Sequence, residues 1–265
     1  MKNIVFALLL LTATFSQAQD RLFTYTYQSS VLNKGQKEIE VWTTMLNNRE
    51  NFYRAFEHRL EFEVGLGSAV QTSFYLNYGY SKGIVSNNNI ESIENNNTYS
   101  FSNEWKLKLS DPVIHPIGSA LYFEYTLGTD ESALETKLIL DKQIGKTVQA
   151  FNIVGEYAFI NGFELNVNKI EIKKETEINL EFNYAFAYKL NNNLSLGVEI
   201  FNKNRYENHE LKYSILSMGP CISYNFEGFW VNLSCLPQIS DIRNGKQELI
   251  DNEKIQTRLC FSYVL

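Results

Sequence analysis

The chain has 265 residues, a formal charge of −6 at neutral pH, 44% hydrophobic residues and a mean hydropathy of −0.25. Its basic residues form no cluster beyond Lys173-Lys174, which excludes the phosphate-neutralising surface that nucleic acid requires. Beyond the N-terminus no apolar run approaches the roughly 18 residues of a membrane-spanning helix, so a helical membrane protein is excluded. A β-barrel, in which only alternate residues meet lipid, is not.

The chain opens with Lys2, an apolar run from Ile4 to Leu11, and the small residues Ser16 and Ala18 flanking Gln17. The run is too short to span a bilayer and small-x-small suits signal peptidase, so residues 1–18 read as a secretory signal peptide cleaved before Gln19. No Cys lies near that site, so a lipid anchor is not expected.

From residue 36 onward the apolar residues recur with period two. Strands are expected over 36–46, 52–66, 70–81, 98–109, 119–127, 132–142, 147–159, 176–190, 194–202, 212–226, 229–237 and 253–265. The alternation is longest in 176–190, where Ile178, Leu180, Phe182, Tyr184, Phe186, Tyr188 and Leu190 interleave with Glu177, Asn179, Glu181, Asn183, Ala185, Ala187 and Lys189. A helix would scatter those apolar residues round its surface, whereas a strand sorts them onto one face. In 52–66 the same sorting sets Phe56, Leu60, Phe62, Val64 and Leu66 against Glu57, Arg59, Glu61 and Glu63, with His58 the exception on the apolar side.

About twelve such strands, within a range of ten to fourteen, predict an all-β, antiparallel up-and-down transmembrane β-barrel of the Gram-negative outer membrane. Counting back from Leu265, the connections at 227–228, 191–193, 143–146, 111–118 and 67–69 are short and fall on the periplasmic side. Those at 238–252, 203–211, 160–175 and 82–97 are long, polar and external. Residues 19–35 read as a periplasmic lead-in and 36–265 as the barrel, and a short extra strand in 22–28 or 163–173 would add to the count. The final strand ends on Leu259, Phe261, Tyr263 and Leu265, similar to the C-terminal signal that barrel assembly machinery reads, although an aromatic residue is usual at the last position. A soluble β-sandwich would have to bury more aromatic strand faces than a chain of this size can pair.

Two stretches carry a resemblance: Lys34-Gly35-Gln36-Lys37-Glu38-Ile39-Glu40-Val41-Trp42 with His58 to Gly65, and Asp111-Pro112-Val113 with His115-Pro116-Ile117-Gly118. They resemble an uncharacterised group of Gram-negative outer-membrane barrels that is distantly similar to the transporter barrels of the phenol-degradation (MetA-pathway) kind. The resemblance implies fold and location, and no substrate.

If the apolar faces meet lipid, the polar faces line the lumen. That parity directs Glu57, Arg59, Glu61, Glu63, Glu104, Lys106, Lys108, Glu181 and Arg258 inward as candidates for a filter, and acids outnumber bases among the inward residues. Glu57, Arg59, Glu61 and Glu63 are the densest group. They read either as a constriction for a cation or small solute, or as part of a salt-bridge network with Lys106, Lys108 or Arg258. Tyr78, Tyr80, Tyr99, Phe159, Tyr224, Phe226 and Phe229 read as interfacial girdles.

No catalytic constellation or phosphate-binding loop is present, and His58, His115 and His209 lie at no ligand spacing, so neither enzyme activity, metal nor cofactor is expected. His58 is the position to inspect for an outer-membrane lipid-modifying enzyme, the least favoured reading. Cys221, Cys235 and Cys260 fit no zinc motif, and the first two fall on opposite faces of one hairpin, which argues against their pairing. Expected partners are outer-membrane lipid, a small solute or cation, and the assembly machinery. The rival reading is a structural or surface-interaction barrel with a closed, salt-bridged lumen.

Overall fold

The computed structural model describes residues 21–265 apart from 88–89, 130, 167–168 and 209, so the expected signal segment 1–18 and His209 lie outside the described residues. Twelve strands follow in chain order. They are β1 (Lys37–Asn47), β2 (Tyr53–Gly65), β3 (Val70–Asn87), β4 (Ile90–Ser110), β5 (Gly118–Gly128) and β6 (Glu131–Ile144), then β7 (Thr147–Asn166), β8 (Lys169–Lys189), β9 (Leu194–Glu207), β10 (Glu210–Phe226), β11 (Phe229–Asp241) and β12 (Ile255–Val264). Each pairs with its sequence neighbours, and β1 pairs antiparallel with β12 from Glu38↔Val264 to Asn47↔Ile255, so the sheet closes and no edge is left open. This is the antiparallel up-and-down barrel that the alternation predicts.

The wall is inverted relative to a water-soluble protein. On β8, Glu177, Asn179, Asn183, Ala185 and Ala187 are buried, while Ile178, Phe182, Tyr184, Phe186 and Tyr188 are exposed on the outside. Outward aromatic rings meet across strands, as Phe74 does Phe101 at 6.4 Å and Tyr78 does Tyr99 at 5.2 Å between ring centroids. A continuous apolar exterior on a closed sheet is stable only where the surrounding medium is apolar. Where outward residues are polar they satisfy one another: Asn103 Nδ2 donates to Thr72 Oγ1 at 3.1 Å, and Trp105 Nε1 donates to Asn103 Oδ1 at 2.7 Å.

At one end the strands join through short turns. Gly145 and Gly228 take φ of 55° and 81°, which lets two-residue connections reverse the chain. The longer turn after β4 is held by Asp111, whose carboxylate accepts from Lys108 Nζ at 2.7 Å and from the backbone N–H of Val113 at 2.9 Å. The Lys108 hydrogen bond, with those of the turn backbone, holds the Asp111 carboxyl down to about 2.

The other end departs from expectation. Residues 82–97, 160–175 and 203–211 were expected as loops, but the ladders continue through them, pairing Asn87 with Ile90, Asn166 with Lys169 and Glu207 with Glu210. Beyond the apolar band both faces of a strand meet water, so the hydrophobic alternation fades while the backbone ladder does not. Of the expected external loops, only the connection from β11 to β12 is a long irregular segment, folded back by Gln238, which accepts the Glu248 N–H at 2.7 Å.

Residues 19–35 read in the sequence as a periplasmic lead-in. Over its described part this segment does not stand free below the barrel, because residues 21–29 and Leu32 fill the lumen at the short-turn end, nearly all of them buried.

A charge placed on the apolar exterior tests the assignment. Phe123→Arg, near the middle of β5, is expected to lower the unfolding free energy by about 2–4 kcal/mol in denaturant titrations of the barrel refolded into lipid vesicles. No change in stability would contradict a lipid-facing wall.

Candidate functional site

The lumen is divided at the level of the inserted segment. In the short-turn half, the wall presents hydrogen-bonding groups to the backbone of residues 21–32. Glu199 on β9 accepts from the N–H of Thr24 (2.9 Å), Tyr25 (2.9 Å) and Thr26 (3.0 Å), and also from the hydroxyls of Thr24 and Ser234. Asn152 bonds both ways with Tyr27, accepting its N–H at 2.6 Å and donating to its carbonyl at 3.0 Å, and Gln71 accepts the Leu32 N–H at 2.9 Å. Asn232 donates to the Arg21 carbonyl at 2.8 Å. An extended chain cannot satisfy its own backbone in a confined space, so these side chains supply the ladder it lacks.

Apolar anchors complete the fit. Leu22 and Phe23 pack against Val148, Ala150, Ala185, Ala187 and Cys221. The small side chains on the inner wall of β7 and β8 make the room that Phe23 occupies. At the segment's exit a Cβ on Gly65 would overlap the carbonyl oxygens of Leu32 and Asn33, so only glycine permits that approach. Arg21, 8% exposed, lies over the rings of Trp42 at 4.4 Å and Tyr27 at 4.5 Å and bonds Glu40 at 3.2 Å.

Above the segment, toward the long-strand end, lies a polar cavity of about 600 Å³ floored by Tyr25, Tyr27 and Trp42. Its lining contains eight carboxylates and six Lys or Arg side chains, so it is close to balanced. The acid excess expected from sequence is reduced by Lys203 and Arg205, which lie on β9 beyond the alternating stretch 194–202. Arg258 lies 3.9 Å over the Tyr25 ring and Lys137 4.3 Å over Tyr27, so the floor carries cationic groups on aromatic faces.

The filter candidates read from the sequence do not lie together in one constriction. Glu57 and Arg59 line the open cavity together with Glu181 and Arg258, whereas Glu61, Glu63, Glu104 and Lys106 are buried at the level of the inserted segment. Lys108 is separate from them, bound to Asp111 at the rim, and Arg258 bonds Thr44 at 2.8 Å and the Thr24 carbonyl at 3.5 Å. Arg59 reaches over two strands to Glu124 at 3.6 Å and donates to Asn77 at 2.8 Å.

Register adds what alternation could not show. Glu104 faces Glu124, Glu124 faces Glu135, and Glu135 faces Glu156, across β4 to β7. Across β1 and β2, Glu38 faces Glu63 and Glu40 faces Glu61. Like charges directly opposite repel. Part of the belt is compensated: Lys137 bonds Glu135 at 2.9 Å, Tyr122 donates to Glu124, Asn179 donates to Glu156 at 2.8 Å, and Trp230 and Ser262 donate to Glu38. Part is not, for Glu61 Oε2 and both oxygens of Glu104 have no hydrogen-bond partner.

The histidines do not assemble a catalytic group among the described residues. His58 stacks between Phe56 (6.2 Å) and Tyr78 (6.1 Å), and its Nδ1 meets Thr43 Oγ1 at 3.0 Å. His115 lies in the turn after β4, its Nδ1 accepting the Asp111 N–H. Cys221 and Cys235 face opposite sides of the wall, and all three cysteines are free.

Residues 15–265 match a family of unknown function, DUF6662, over nearly the whole chain. The chain belongs to that family. A search of curated proteins finds no significant relative. Among solved structures, the COG4313 outer membrane channel from Pseudomonas putida F1 aligns with a TM-score of 0.61 at 9% identity, covering 92% of this chain and 100% of that one. The NanC porin aligns at 0.53 with 11% identity, over 86% of this chain and 100% of that one. The translocator domain of the autotransporter NalP from Neisseria meningitidis aligns at 0.53 with 9% identity, over 99% and 95%. At such identities the likeness concerns the fold alone: the DUF6662 chain shares the closed barrel architecture of these outer-membrane proteins.

Glu199 is the test of the inserted segment. Glu199→Ala leaves three N–H groups of residues 24–26 without their acceptor, each worth about 1–3 kcal/mol when buried. Cleavage by trypsin after Arg21 is expected to accelerate at least about tenfold in the folded barrel, as the open population rises. Equal cleavage in both proteins would show that the segment is not held by this carboxylate.

Proposed function

We propose that this chain is an outer-membrane channel or binding barrel for a small charged or polar solute or cation, reached after removal of residues 1–18 and inserted by the barrel assembly machinery. The supporting observation is the water-accessible cavity of about 600 Å³, with charged walls and an aromatic floor, inside a barrel of outer-membrane type. Balanced fixed charges of both signs bind polar groups without excluding either, whereas a purely apolar or fully paired lumen would not. In this reading the inserted segment is a stopper, and passage requires it to move.

Single-channel recordings in planar bilayers decide the matter. Residues 19–265 are expected to give small or rare conductance steps, and deletion of residues 21–32 to raise conductance several-fold, with a heat-modifiable gel shift showing that the shortened chain is folded. In the shortened chain, Glu61→Gln with Glu63→Gln is expected to reduce cation preference, and unchanged selectivity would remove both residues from the conduction path.

The alternative is a structural or surface-interaction barrel with a permanently closed lumen, acting through its long-strand end. The dense anchoring of residues 21–32 favours it. A folded barrel that stays silent with and without residues 21–32 would select this reading over transport.

A further inference from the structure

We propose that Glu40, Glu61, Glu63 and Glu104 form a binding site for one hard divalent cation of the Ca²⁺ class, set between the wall of β1–β4 and the inserted N-terminal segment. One oxygen from each of Glu40, Glu61 and Glu63 lies within 4.8 Å of the other two. Two oxygens bound to the same Ca²⁺ at about 2.4 Å are at most about 4.8 Å apart, so the spacing of the three is compatible with one shared ion.

Glu104 is the independent observation. It is 1% exposed, neither of its oxygens has a hydrogen-bond partner, and it borders with Glu40 and Glu63 an internal void of about 10 Å³. That volume suits a single small occupant. A carboxylate removed from water with nothing to bond carries a large desolvation penalty, and a cation in the void removes it for several carboxylates at once.

The nearby bases do not achieve the same. Arg21 gives one nitrogen to Glu40 and others to the carbonyls of Phe23 and Thr24, while Arg59 is turned to Glu124 and Asn77. Of the basic residues, only Arg21 and Lys106 border the void, against Glu40, Glu63 and Glu104 there and Glu38 and Glu61 beside them. A divalent ion brings this balance closer to neutral. The ligand group contains oxygen alone, with no His or Cys, which selects Ca²⁺ or Mg²⁺ over zinc or copper. The ion would also tie the barrel wall to the region where Arg21 and Gln28 enter the void.

The test is calorimetry and thermal unfolding of the chelator-stripped barrel, residues 19–265 refolded in zwitterionic detergent, titrated with CaCl₂ and separately with MgCl₂. A single saturable site and a higher unfolding temperature in Ca²⁺ than in EDTA are expected. Glu61→Gln and Glu104→Gln are each expected to weaken binding about tenfold or more, and the exposed Glu210→Gln to leave it unchanged. Absence of saturable binding, with identical unfolding in both cations and EDTA, overturns the proposal and assigns the charge compensation to protons. Binding that survives both Gln variants overturns it by placing the ion elsewhere. Should those variants fail to fold, Glu61→Asp and Glu104→Asp retain the charge but withdraw the oxygens: weaker binding supports the site and undiminished binding overturns it.

Discussion

In an apolar medium an unpaired backbone N–H or C=O has nothing to bond with, and the rest of this structure follows from that constraint. It requires the sheet to close on itself, with β1 against β12, and it turns the wall inside out, apolar side chains outward and polar ones inward. The closed wall then encloses a space that the inward side chains alone do not fill. Residues 21–32 occupy half of it. Their own backbone meets the same constraint a second time, and Glu199, Asn152, Gln71 and Asn232 answer it one group at a time.

The consequence is a lumen with two different interiors. In the short-turn half, glutamates are held among a folded chain, the four buried rings of Tyr27, Trp42, Tyr122 and Trp230, and a few bases, and their charge must be met by direct partners. In the other half, glutamates and bases share a wet cavity where screening lowers the cost of imperfect pairing. The residues Glu57, Arg59, Glu61 and Glu63 straddle this boundary. Their equal spacing along β2 gives them one orientation and two environments.

How much was legible varied with the physical range of the interaction. The long alternation over 176–190 identified β8 because period-two sorting is local. It ended early at 82–97 and 203–211, where strands leave the apolar band and composition no longer reports pairing. Ala185 and Ala187 lie on the face that alternation assigns inward, yet their smallness, with that of Ala150, is the signal that alternation does not report: a run of small inward residues leaves a void unless some other part of the chain fills it. Lys203 and Arg205 were missed for the same reason as the strand extension that carries them.

By itself, then, the sequence determined an all-β barrel of about twelve strands and the order of its short turns, because both follow from neighbours two residues apart. Only the tertiary structure decided which carboxylates stand opposite one another, that Arg59 reaches Glu124, and that residues 21–32 enter the barrel. Those depend on register and on closure, which bring together groups far apart in the chain, 175 residues in the case of Thr24 and Glu199, and no local pattern encodes a contact that exists only once the barrel has shut.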